Sequence, residues 1–215
     1  MIVIFLGAPG SGKGTQAKLL SQKIGGLYFE GGAVLRSKAN ENSSLGRKVK
    51  QIIYAEGKLV PDDIMVNILK EWFENKPINK GVVFDGFPRS LSQYKLLKDF
   101  LSQKKEKISK VIFLKVRESV VISRLSSRRV CPKCGLEFNL LTKPPLKDEI
   151  CDFCGENLIK RPDDTPRLIK ARLKTYLEKT KPFIDFVRKE GILEEVDGER
   201  GVEEIHQDIL RRLNL

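Results

Sequence analysis

The stretch Gly7-Ala8-Pro9-Gly10-Ser11-Gly12-Lys13-Gly14-Thr15 restricts the possible folds of this chain more than any other segment. The apolar run 2–6 leads into it, and Gln16-Ala17-Lys18-Leu19-Leu20 begins a helical pattern behind it. Strand, glycine-rich loop, lysine and helix, in that order, build a phosphate cradle. Glycines let the backbone turn tightly and aim N–H groups at phosphate oxygens. The helix N-terminus adds a positive partial charge. Gly10, Ser11, Gly12, Lys13, Gly14 and Thr15 are therefore candidates to bind a nucleoside triphosphate. Lys13 can reach its outer phosphates, and a nearby hydroxyl can help order Mg²⁺. The usual pattern sets Ser or Thr directly after the lysine; here Gly14 intervenes before Thr15.

Five short apolar stretches, 2–6, 27–29, 82–85, 111–116 and 192–196, read as buried strands with helical periodicity between them. That alternation predicts a parallel sheet with helices on both faces and ligands at the carboxyl ends of its strands. Asp85 closes one such strand, where a carboxylate can face the phosphate loop and hold Mg²⁺ through water. Arg89 lies just beyond, with a planar fork suited to bridging phosphates. Arg124 and Arg128 are four apart and read as sharing a helix face. Arg172 lies four residues after Leu168 and four before Tyr176, beside an apolar stripe. Two segments interrupt the alternation: residues 31–60, helical but set between strands, and residues 130–162, which lack a helical period. Helices resume at Thr165-Pro166, a good N-cap followed by a residue suited to the first helical position.

The second interruption holds all four cysteines. Cys131-x-x-Cys134 and Cys151-x-x-Cys154 are separated by 16 intervening residues, each pair followed by glycine. Two such knuckles can close a tetrahedral, purely structural zinc site, and tetrahedral sulfur sites accept iron as well. The formal net charge of +12 suggests an acidic partner. A basic protein with a zinc ribbon raises the alternative of a nucleic-acid binder. Residues 131–160 oppose it, with four lysines against five carboxylates. The excess lies elsewhere, as at Lys104, Lys105, Lys107 and Lys110, read as a solvated helix end and loop. No apolar run approaches the roughly 20 residues of a membrane span, so a soluble, cytoplasmic chain is expected. The single histidine, His206, reads as a helix-surface residue.

Gly7 to Thr15 resembles the loop of adenylate kinases. Three further stretches resemble the same family: Asp85-Gly86-Phe87-Pro88-Arg89 with Gln93, Arg124 with Arg128-Arg129, and Arg161-Pro162-Asp163-Asp164 with Arg172. The likeness runs through nearly the whole chain in order, and the cysteine insertion is similar to the zinc-bearing lid of many bacterial members. It implies a three-layer α/β fold of the P-loop type with a five-stranded parallel sheet. The core would be 1–30, 61–127 and 165–215, the monophosphate-binding subdomain 31–60 and the lid 128–164. It implies reversible transfer of phosphate from Mg·ATP to AMP, giving ADP, with structural zinc; a monomer with no nucleic-acid or membrane partner is expected. Arg124 would pack on the ATP base, and Lys13, Arg89, Arg128, Arg161 and Arg172 would work on phosphates. Gly31, Arg36, Lys58, Val60, Gly86, Arg89, Gln93, Arg161 and Arg172 would bind AMP. Since the attacking phosphate is already an anion, alignment and charge stabilisation suffice without a general base.

One segment departs from the family. Where Ser-Thr-Gly-Asp is usual, the chain reads Glu30-Gly31-Gly32-Ala33. A hydroxyl beside the AMP base and a carboxylate near the metal are lost, and Glu30 brings a negative charge near an anionic substrate. Weaker AMP affinity or altered base choice is the expectation. A CMP or UMP kinase, or a nucleotide-binding scaffold with little catalysis, are the alternatives.

Overall fold

The computed structural model describes residues 1–74 and 76–215. Every residue of the first strand, β1 (Ile2–Gly7), is buried, and alternate side chains leave on opposite faces. Ile2, Ile4 and Leu6 enter one apolar cluster, Val3 and Phe5 another. A strand buried on both sides requires a layer above and a layer below.

The chain supplies them in order. After β1 come α1 (Lys13–Ile24), β2 (Leu27–Glu30), α2 (Gly31–Ala39), α3 (Ser44–Lys50) and a π-helical turn, Gln51–Glu56. Then follow α4 (Asp62–Phe73), β3 (Val82–Asp85), α5 (Leu91–Gln103), β4 (Lys110–Lys115) and α6 (Glu118–Ser126). The short strands β5 (Arg128–Val130) and β6 (Glu137–Asn139) form an antiparallel pair. The chain ends with α7 (Pro166–Thr175), a π-helical turn Tyr176–Thr180, α8 (Lys181–Lys189), β7 (Leu193–Asp197) and α9 (Val202–Arg212). The main sheet has the order β2-β3-β1-β4-β7 and is parallel throughout, with Ile2 opposite Val82 and Val111 opposite Leu193. Ile64 of α4, Leu97 of α5 and Phe183 of α8 fill one side; Leu20 of α1 and Ile209 of α9 fill the other. This is the expected three-layer α/β fold with five parallel strands.

Thr165 caps α7 as expected, its side chain accepting from the Leu168 N–H, with Pro166 in the first helical position. Three expectations need correction. His206 is buried, 8% exposed, on the inner face of α9, where a spacing of three and four residues aligns it with Ile209 and Leu210. Arg128 does not share a helix with Arg124. The Ser126 and Ser127 hydroxyls bond back to the carbonyls of Ile122 and Ser123, a local competition that weakens helices, and Arg128 then pairs with Asn139 across β5–β6. Lys110 is not loop but the first residue of β4, paired with Glu194 at 2.7 Å. Among the described residues no helix is long and apolar enough to cross a membrane.

Candidate active site

The loop after β1 turns at Gly12, whose φ of 91° lies in the left-handed region that favours glycine. No side chain caps α1, which leaves its first N–H groups available to an anion. Lys13 Nζ donates to the Ala8 carbonyl at 3.3 Å. Burial lowers its pKa to about 8, against the opposing pull of Asp85 and with help from Arg89, Arg172 and Arg128. Ser11 is fully buried, and its hydroxyl has no partner among the described residues. Thr15, by contrast, is exposed. Arg124 Nη1 donates to the carbonyls of Ser11 and Gly198, at 3.3 and 2.9 Å, beside the loop.

Asp85, at the end of β3, is buried. Its Oδ2 accepts from the Tyr28 hydroxyl at 3.1 Å, while Oδ1 is buried without a partner among the described residues. An orphaned buried carboxylate oxygen fits a metal-bound water. The same corner explains Gly14. A Cβ there would stand 2.9 Å from Asp85 Oδ2, so a Ser or Thr directly after the lysine would push aside the carboxylate that Tyr28 holds.

The arginines converge from three elements. Arg161 binds Asp163 through two nitrogens, at 2.9 and 2.7 Å, and Glu137 through a third at 2.7 Å. Arg128 binds Asp164 through two nitrogens, each at 2.7 Å. Arg172 Nη1 reaches Asp164 at 2.9 Å and Asp163 at 3.2 Å. Burial would lower the Arg161 pKa, but Asp163 and Glu137 outweigh it and raise it. Burial would likewise raise Asp163, and its bonds to Arg161 bring it well below the usual carboxylate range. Arg172, mainly through burial, falls to about 10, still a cation at neutral pH. Arg89, lowered chiefly by burial, is fixed by its Nε to the Gly86 carbonyl and its N–H to Gln93 Oε1. Its carbonyl accepts from the Thr180 hydroxyl.

Lys13, Arg36, Arg89, Arg161 and Arg172 line one cleft, with Val60, Gly86 and Gln93 in its wall. Lys58 also lies there, but its ammonium is exposed and pairs with Glu56. Gly31 packs closely: a Cβ on it would stand 3.1 Å from both the Gly86 carbonyl oxygen and the Phe87 Cβ. Glu30, expected to bring a charge toward the substrate, is engaged with Arg36 at 2.8 Å.

The four cysteines form a separate centre. All four Sγ atoms lie within 4.8 Å of one another, with Cys131 to Cys154 at 3.3 Å and Cys134 to Cys151 at 3.5 Å. Zinc–sulfur bonds of about 2.3 Å in a tetrahedron set sulfurs about 3.8 Å apart, so the donor set fits a zinc ion after small shifts. The knuckles are built alike: the N–H groups of Gly135 and Gly155 donate to the carbonyls of Cys131 and Cys151, both at 2.9 Å.

Sequence comparison agrees with this geometry. The family model described as Adenylate kinase matches residues 5–192. The chain belongs to the adenylate kinase family. It is 40% identical over 210 residues to the adenylate kinase of Thermotoga neapolitana, covering 97% of this chain and 95% of that one. It is 41% identical over 213 residues to that of Kosmotoga olearia, covering 99% of each. For Archaeoglobus fulgidus the identity is 40% over 209 residues, covering 97% and 96%. The chain is thus a phosphotransferase, and the adenylate kinase reaction, ATP with AMP, is favoured over the CMP, UMP and scaffold alternatives.

Several residues that shape this adenylate kinase site escaped the sequence reading. Tyr28 orients Asp85, Thr180 holds the backbone of Arg89, and Glu137 braces Arg161 from β6. Asp163 and Asp164, which stand in the sequence only as part of a motif, are the carboxylates that bind Arg128, Arg161 and Arg172.

Proposed function

We propose that phosphoryl transfer runs in the cleft at the carboxyl ends of β1 and β3. Mg·ATP is held by residues 10–15 and by Arg124, which packs on its base. AMP is held by Arg36, Arg89 and Gln93, with Gly31, Lys58, Val60 and Gly86 shaping its seat. The observation that carries this reading is the convergence of five cations, Lys13, Arg36, Arg89, Arg161 and Arg172, on one cleft. Glu30, Asp163 and Asp164 pair with three of them, the side chains of Lys13 and Arg89 bond to carbonyls, and the cluster matches the charge that spreads over transferring oxygens. Lys13 and Arg89 hold the phosphates in line, and Arg128, Arg161 and Arg172 close over them as water is excluded. Asp85 would hold Mg²⁺ through water at its unpartnered Oδ1; the ion, when bound, neutralises phosphate charge.

In this reading residues 31–60 form the AMP subdomain and residues 128–164 the lid. The remaining segments, 1–30, 61–127 and 165–215, are the core. Cys131, Cys134, Cys151 and Cys154 hold a structural zinc that stiffens the lid away from the chemistry. Metal analysis checks that assignment: one zinc per chain is expected, lost in Cys134→Ser. Cytoplasmic nucleotides are its partners, and a monomer is the expected state, which its mass in solution checks. The test of function is ADP formation from Mg·ATP with AMP, CMP, UMP or no acceptor. Fast formation with AMP alone is expected, falling about 10²–10³-fold in Lys13→Ala. Equal rates with CMP or UMP, or none with AMP, would refute the reading.

A further inference from the structure

Glu30 ends β2, directly opposite Asp85 in the β2–β3 ladder. Its carboxylate turns to the last turn of α2, where Oε1 accepts from Arg36 Nη2 at 2.8 Å. The guanidinium folds back over the first turn of the same helix, and a Cβ on Gly32 would stand 3.0 Å from Arg36 Nη1. Arg36 lines the cleft. The side chains of Arg36 and Glu30 are 28% and 32% exposed, so the pair is neither sealed in the core nor freely solvated. Arg36 also lies near enough to Arg89 and Glu137 to affect both electrostatically. It is therefore part of the phosphate-facing field, and Glu30 is the one carboxylate bonded to it among the described residues.

Resting on the adenylate kinase reading, we propose that Glu30 is a specificity-determining residue. Its carboxylate occupies Arg36 in the free protein and thereby weakens the hold on the acceptor's phosphate. Acceptor binding is an exchange at Arg36: the carboxylate leaves and the phosphate arrives. The exchange runs forward because a phosphate monoester carries about −1.5 to −2 at neutral pH, whereas the carboxylate carries a single charge. It costs affinity twice, since an existing charge-assisted bond is broken and the displaced carboxylate stays close to the incoming anion. The effect belongs to the phosphate alone, so it discriminates acceptors by charge and not by base.

The test compares wild type with Glu30→Gln and Glu30→Ser. AMP and ATP saturation are followed by ADP formation, AMP binding by calorimetry, and adenosine is used as a phosphate-free competitor. Partly exposed ion pairs set the scale: KM and Kd for AMP should fall about two- to fivefold in both variants. The KM for ATP and inhibition by adenosine should stay unchanged, and the gain should shrink at high salt. An unchanged or higher Kd for AMP in Glu30→Gln would overturn the proposal, showing that Glu30 positions Arg36 and does not compete for it. An equal gain for adenosine would overturn it too, since the effect would then lie in the base pocket. Should wild type form no AMP-dependent ADP, the functional reading fails by itself, and the calorimetric comparison still decides whether carboxylate and phosphate exchange.

Discussion

Lys13 and the trio Arg128, Arg161 and Arg172 supply positive charge to one region, yet they are held in opposite ways. Lys13 donates to a neutral carbonyl and pairs with no carboxylate among the described residues. Each of the three arginines is bonded to Asp163, Asp164 or both. The loop gets its shape from the backbone: a strand buried on both faces, left-handed glycines at Gly10 and Gly12, and a helix start. Its charge is conditional, because burial has brought the lysine to about 8. The arginines come from β5, from the end of the insertion and from α7, three places that no single hydrogen-bond ladder aligns. Carboxylates align them. One half of the site is preformed by the sheet, and the other is assembled by charge.

The severest way to break this contrast is Asp164→Asn. The Asp164 side chain is 2% exposed and bonds both Arg128 and Arg172. Removing one partner of a buried pair costs about 3–5 kcal/mol. At about 2–4 °C per kcal/mol, the calorimetric unfolding midpoint should fall by roughly 6–20 °C. A fall of less than about 2 °C, on the same scale, would mean that the arginines are aligned by packing.

A smaller effect sharpens the contrast from the lysine side. As pH rises through about 8, Lys13 loses its proton while Arg172, at about 10, keeps its own. ATP affinity measured without Mg²⁺ should therefore decline above pH 8, in Lys13→Arg much less. Asp85 raises the Lys13 pKa, so Asp85→Asn should move the break to lower pH. For folding the sign is opposite. A cation whose pKa is depressed in the native state costs stability below about pH 8, and that cost is relieved as pH rises from about 8 toward 10.5. A flat affinity profile from pH 7 to 9 would show that Lys13 stays charged despite its burial.

Where backbone pattern decides, the sequence was readable. The strands expected at 82–85 and 111–116 lie at Val82–Asp85 and Lys110–Lys115, because runs of Val, Ile and Phe have few other uses in an alternating chain. The phosphate loop and the cysteine knuckles were readable for the same reason, as each is local. Arg128 was misplaced because a spacing of four means a shared face only while a helix lasts, and two serines end α6 first. Residue type alone points His206 to the surface, whereas its spacing from Ile209 and Leu210 puts it inside. The braces of the arginines were illegible. Glu137 and Arg161 lie 24 residues apart, and Tyr28 and Asp85 57 apart; nothing along the chain records such meetings.

The bond between Arg128 and Asp164 spans 36 residues and joins the two roots of the cysteine insertion, with Val130 and Ile159 bridged just above it. Whatever lies between those roots is, to the rest of the molecule, a loop already closed. Closure entropy grows only slowly with length, about 0.6 kcal/mol per doubling. The stretch inside the Val130–Ile159 bridge is therefore a place where a lineage can lengthen or shorten the chain, while the sheet, Arg128, Arg161 and Arg172, all outside that bridge, are inherited intact.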